Sequence, residues 1–147
     1  MSEILKICIA QNSGEMMQDV REIEVILNKG ILKDRYFKNN NQPDIQITLI
    51  ESENIDYYNS ISDIKIPYIN FRRNIITKGV QLNNLVGKQF DIGDVKVVGH
   101  RLCDPCKYLQ DMLKDSKLVK KLINKGGLRC EILSSGKISI NDKIKIT

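Results

Sequence analysis

Ile4-Leu5-Lys6-Ile7-Cys8-Ile9-Ala10 is dense in apolar and β-branched residues and reads as a buried strand. Val20 to Ile26 fits either regular structure and is assigned to strand. Ile45 to Ile50 alternates apolar with polar residues, the pattern of a strand with one covered face. Glu51 to Ile64 holds a short helix. Gln89 to Gly99 reads as a hairpin turning at Gly93-Asp94, and Cys130 to Ile140 as another turning at Ser135-Gly136. Lys143 to Ile146 closes the chain as a strand.

One long helical pattern interrupts this run, from Pro105 to about Lys125. Leu109, Met112, Leu113, Val119, Leu122 and Ile123 recur at helical spacing. Asp104 suits the N-cap, Pro105 the first helical position, and Gly126-Gly127 the end. Ser116 is a point where it divides into two shorter helices. Many short strands with one helical segment at 105–125 predict a mainly β fold: a closed or partly closed antiparallel β-barrel. The chain shows no repeat and no linker; Lys38 to Pro43 is a polar loop. Residues 1–147 are therefore expected to form one domain.

With 147 residues, 41% of them hydrophobic, the chain can build a core of its own. No apolar run is long enough to span a membrane, and the N-terminus lacks the features of a signal peptide. A cytoplasmic location is expected, with Cys8, Cys103, Cys106 and Cys130 reduced. A net charge of +5 favours an anionic partner. Nucleic acid is disfavoured, because the chain has no long Lys/Arg run, no aromatic stacking motif and no Trp. A small phosphorylated ligand accounts for the charge equally well.

The candidate chemistry lies mostly between Arg72 and Cys106. With Asp104 as cap, Cys106 falls in the first helical turn, where unpaired N–H groups and the positive helix end stabilise a thiolate. Arg101 and Lys107 add positive charge nearby. Such a cysteine can ligate a metal, carry a persulfide or attack an electrophile; the plainer alternative is a small buried hydrophobe. Cys103-Asp104-Pro105-Cys106 is also a C-x-x-C, without the βαβ setting of a redox pair. With His100 it offers a zinc or dithiol site, with Cys130 a conceivable fourth ligand. Arg72, Arg73, Asn74 and Thr77 supply bidentate and neutral donors for phosphate or another oxyanion; the alternative is a solvated edge. Asp34 and Arg35, in Gly30-Ile31-Leu32-Lys33-Asp34-Arg35-Tyr36, fit an internal ion pair or a ligand contact equally. No GxGxxG, P-loop, HExxH or GxSxG motif is present.

Taken in order, these residues resemble the MOSC domain family, named for the C-terminal domain of molybdenum-cofactor sulfurase. The likeness is strongest over Arg73-Asn74-Ile75, Thr77, Gly79, Leu82, Leu85, Gly87, Phe90, Ile92-Gly93 and Cys103, Pro105, Cys106 and Leu109. Gly30 to Tyr36 resembles the family's early Asp-Arg motif, and Gly127 to Ile138 its closing hairpin. The resemblance implies a β-barrel with a groove for molybdenum cofactor (molybdopterin). It implies Cys106 as molybdenum ligand or sulfur (persulfide) carrier, with Arg72, Arg73, Asn74, Thr77, His100, Asp34 and Arg35 around the cofactor. It also implies reduction of N-hydroxylated compounds or, alternatively, a non-enzymatic module that delivers cofactor or sulfur to a molybdoenzyme partner. With no pyridoxal-phosphate domain, a sulfur donor and an electron donor are expected to be separate partners. Lys33 and Asn141 stand where the family usually has glycine.

Overall fold

The computed structural model describes residues 2–63, 65–103, 110–111, 114 and 117–146. The chain runs through strands β1 (Glu3–Ile9), β2 (Gln18–Val20), β3 (Glu22–Ile26), β4 (Gly30–Ile31) and β5 (Ile47–Glu51), then helix α1 (Ser52–Ile61) and β6 (Ile75–Lys78). It continues through β7 (Gln89–Ile92), β8 (Val95–Leu102), helix α2 (Leu118–Lys121), β9 (Leu128–Ile132), β10 (Gly136–Ser139) and β11 (Ile144–Ile146). Eight strands form one strongly curled sheet in the order β11-β7-β8-β9-β5-β6-β1-β2, and β10-β3-β4 form a small second sheet. An antiparallel bridge between Glu3 and Lys143, with Ile4 N–H on Asp142 O and Ile144 N–H on Ser2 O, draws the β1 and β11 flanks together.

The sheet is mainly antiparallel, as expected, with one parallel pair between its strands. β5 and β6 pair in parallel, Leu49 beside Ile75 and Ile50 beside Ile76. Parallel neighbours need a crossover, and α1 supplies it. The expected strand at Val20–Ile26 is two strands in different sheets. Its true alternation begins at Glu22, with Ile23 and Val25 inward and Glu22 and Glu24 outward. The hairpin expected over Cys130–Ile140 does not form: β9 pairs with β5 and β8, whereas β10 pairs with β3. Ser135, read with Gly136 as its turn, and the preceding Ser134 instead redirect the chain. Ser134 Oγ accepts from Lys96 N–H at 2.9 Å and Ser135 Oγ from Leu27 N–H at 2.8 Å. The Gly93-Asp94 hairpin forms as expected, Ile92 pairing with Val95.

Two apolar clusters sit on opposite faces of the curl. The inner one joins Ile4, Ile7, Leu49, Ile75, Phe90, Val97 and Leu128 to Ile23, Val25 and Ile138 of the small sheet. The outer one lies where Cys8, Ile50 and Ile76 are covered by Ile55 and Tyr58 of α1, by Phe71, and by Leu118 and Leu122. α1 therefore covers only part of the outer face. The rest of that face carries the charged residues described next. Of the long helix expected over 105–125, Gln110, Asp111 and α2 are helical, while 104–109, 112–113 and 115–116 lie outside the described residues.

Candidate functional site

The site begins at the turn that leads into β6. Tyr68–Phe71 forms a single 3₁₀ turn, pinned by the edge-on contact of Phe71 with Tyr58 of α1 at 5.5 Å between ring centroids. Arg72 ends the turn at φ 62°, a left-handed conformation that costs a non-glycine residue about 1–2 kcal/mol. Such strain persists where the surroundings hold it. Here they do: Arg72 N–H donates to Ile69 O, and its Nη1 donates to Glu15 O at 2.6 Å.

Asn74 is the rivet behind that turn. It is 1% exposed, yet every polar atom of its side chain is used. Its Oδ1 accepts from the N–H and Oγ1 of Thr48, and its Nδ2 donates to Cys8 O at 3.2 Å. Asn74 N–H donates in turn to Thr48 Oγ1 at 3.0 Å. One side chain thus ties β6 to both neighbours, β1 and β5. Thr77 is 0% exposed and donates to Ile50 O. The structure therefore places Asn74 and Thr77 inside the scaffold, and Arg72 and Arg73 at its edge.

Asp34 and Arg35 do both things the sequence allowed. Arg35 Nη1 pairs with Asp34 Oδ1 at 3.0 Å with both side chains almost fully covered. Asp34 also accepts from Ala10 N–H, and Arg35 Nη2 donates to Arg72 O at 3.0 Å. The guanidinium carbon lies 4.5 Å from the centroid of the Tyr36 ring. This brings Arg35 and Arg72, distant in sequence, into one open pocket of about 350 Å³ lined by Ser13, Gly14, Arg35, Tyr36 and Arg72. Two arginines with one neutralising carboxylate make it cationic.

Arg73 faces the other way. Its Nε donates to Gly126 O at 2.9 Å and its Nη1 reaches Phe71 O. Beside Gly126, Gly127 takes φ 106°, and a Cβ there would meet Leu49 O at 2.0 Å. Only glycine fits. Gly127 O accepts from Cys103 N–H at 2.7 Å, fixing the end of β8 against Arg73's partner. Cys103 is the last described residue before 104–109; Asp104, Pro105 and Cys106 lie outside the described residues.

Sequence reasoning passed over Arg129. The register sets it directly opposite Thr48 on β5 and Arg101 on β8. Its Nε is buried and, among the described residues, has no hydrogen-bond acceptor. Arg101 Nε pairs with Asp44 Oδ2 at 2.9 Å, and that hydrogen bond, with the two arginine charges, holds the Asp44 carboxyl below its usual range. Opposed residues of an antiparallel pair share a face. A polar and cationic row thus crosses the outer sheet from Arg72 and Asn74 through Thr48 to Arg129 and Arg101. The available signal was an arginine between inward Leu128 and Cys130, which by default reads as solvated.

His100 stands apart, exposed on β8 and bonded through Nε2 to Glu131 Oε1 at 2.8 Å. Cys103 and Cys130 are buried at 2% and 0% exposure. Burial, with Cys103 nearby, pushes the Cys130 thiol well up, and burial pushes Cys8 up to about 11. No His/Cys/Asp/Glu cluster suited to a metal forms among the described residues. The zinc or dithiol site expected at His100, Cys103 and Cys106 includes Cys106, which lies outside the described residues.

With this geometry in place, relatives become informative. A family model described as MOSC domain matches residues 37–145, beginning just after the Asp34-Arg35 pair. Three solved structures share the fold. The YuaD protein from Bacillus subtilis is 16% identical with a TM-score of 0.80, covering 98% of this chain and 94% of that one. YiiM from Geobacillus stearothermophilus is 16% identical with a TM-score of 0.82, covering 100% of this chain and 75% of that one. YiiM from Escherichia coli is 18% identical with a TM-score of 0.73, covering 99% of this chain and 69% of that one. No curated protein matches the chain in sequence.

Proposed function

Because the chain belongs to the MOSC domain family, we propose that it binds molybdenum cofactor on the cationic outer face, with Cys106 as the molybdenum ligand. The observation that carries this reading is the pairing of Arg35 and Arg72 in one open pocket, beside a scaffold that also anchors the end of β8. Cys106 follows that anchored end by three residues in sequence.

The residues present fit an anionic pterin. Arg72 offers cationic donors for its phosphate, the covered Arg35 holds Arg72 in place from behind, and Tyr36 offers an aromatic wall. Arg73 acts indirectly, by fixing Gly126 and Gly127 against β6. Asn74 and Thr77 are read as positioning residues that keep the two arginines at the edge of the sheet. When bound, the cofactor would supply redox-active molybdenum, and with an electron donor that chemistry suits reduction of N-hydroxylated compounds. Burial raises the Cys8 and Cys130 thiols and so disfavours their thiolates, and Cys103 is itself buried, which favours Cys106 as the thiol for this role. A cytoplasmic setting and a single domain over 1–147 belong to the same reading. Among the described residues, no helix is long and apolar enough to cross a membrane.

Anaerobic native mass spectrometry of wild type and Cys106→Ser, each mixed with freshly released cofactor, tests the proposal. A cofactor adduct on wild type that is lost or weakened in the variant is expected. Wild type carrying one extra sulfur and no cofactor would move the reading to a persulfide carrier serving a partner molybdoenzyme.

A further inference from the structure

Among the arginines around the site, Arg35, Arg72 and Arg73 spend donors on Asp34 and on backbone carbonyls, and Arg101 pairs with Asp44. Arg129 differs. Its buried Nε–H meets no acceptor among the described residues, and its cross-strand neighbour is another arginine. An unsatisfied buried donor is costly, more so when charged, so the side chain is poised for an acceptor that comes from outside. Thr48 opposite it is neutral and already committed to Asn74. Asp44 acts on Arg101 first, leaving positive charge in excess.

Arg129 also lies well away from the Arg35–Arg72 pocket. Arg129 is not among the residues that line that pocket, and β5 separates its strand β9 from β6, the strand that Arg72 leads into. We propose that Arg129 is a second oxyanion-binding position on this face, and that the ligand is an elongate molecule with negative charge at both ends. A phosphate monoester would occupy the Arg35–Arg72 pocket and an oxyanionic head would meet Arg129. This deepens the cofactor reading and rests on it for the ligand's identity, but the two positions are testable without cofactor.

The probe is inorganic phosphate, titrated into ¹⁵N-labelled protein while the arginine Nε–H resonances are followed. Arg129→Lys, which keeps the charge but lacks Nε, assigns the Arg129 signal by its disappearance. In wild type that signal is expected to move and saturate, and to do so equally in Cys106→Ser and in Arg72→Met. Thermal stabilisation by phosphate is expected to drop in Arg129→Lys and in Arg72→Met and to vanish only in the double variant. An Arg129 signal that ignores phosphate, or one whose response disappears in Arg72→Met, would overturn the second position. Failure of the cofactor reading shows differently: phosphate responses intact, with no cofactor adduct on wild type.

Discussion

Asn74→Ala should damage the fold far more than a surface Asn normally would. The substitution removes the acceptor of Thr48 N–H and Oγ1 and the donor to Cys8 O, all within buried structure. Thr48 Oγ1 can rotate, but the Thr48 N–H cannot find another partner. One stranded amide costs about 1–3 kcal/mol, and each lost hydrogen bond adds about 1 kcal/mol. The sum is about 3–5 kcal/mol, a large share of a typical folding stability of about 5–15 kcal/mol. Equilibrium urea unfolding measures it. With a slope of about 1–3 kcal/mol per molar, the midpoint should fall by roughly 1–5 M. Thr48→Val should cost less, and the double variant should cost less than the two singles added, because both remove one network. An Asn74→Ala loss below about 1 kcal/mol would refute the rivet role and return Asn74 to the list of direct ligand donors.

Other consequences follow from single residues. Lys33 sits at φ 72°, so Lys33→Gly should raise stability by about 0.5–1 kcal/mol, the left-handed cost less the glycine entropy, read as a higher Tm. Asn141, at the same φ, tolerates that region better, and Asn141→Gly should change Tm less. Burial, then the nearby Glu53, raises the Glu51 pKa, so ionising it disfavours the folded state. Glu51→Gln should therefore stabilise the protein at neutral pH, with the gain fading as pH falls through the raised folded-state pKa and gone below the ordinary carboxylate value of about 4.3 in urea melts across pH. In native protein at pH 7.5 or so, iodoacetamide should modify Cys106 first and leave Cys8 and Cys130 untouched until unfolding, as peptide mass spectrometry will report.

The strand and helix from Ile47 to Ile61 and the Gly93-Asp94 hairpin were legible because short-range pattern decides them. Ser135-Gly136 looked like a hairpin turn because turn chemistry is local; the partners of the Ser134 and Ser135 hydroxyls, Lys96 and Leu27, come from remote parts of the chain. Arg72 to Thr77 stood out as a polar cluster, but whether an Asn beside Ile75 faces ligand or scaffold depends on β1 and β5 flanking it. Lys33 and Asn141, standing at positions usually held by glycine, both adopt the left-handed backbone that explains the glycine. Arg129 was invisible for a different reason. Alternation correctly turns it away from the core, but only the set of neighbours shows that its Nε lacks a partner.

Molybdenum K-edge absorption spectroscopy of cofactor-loaded protein tests the central claim most directly. Wild type is expected to show one more sulfur scatterer at molybdenum than Cys106→Ser loaded in the same way. Equal sulfur counts in the two proteins would contradict the assignment of Cys106 as the ligand.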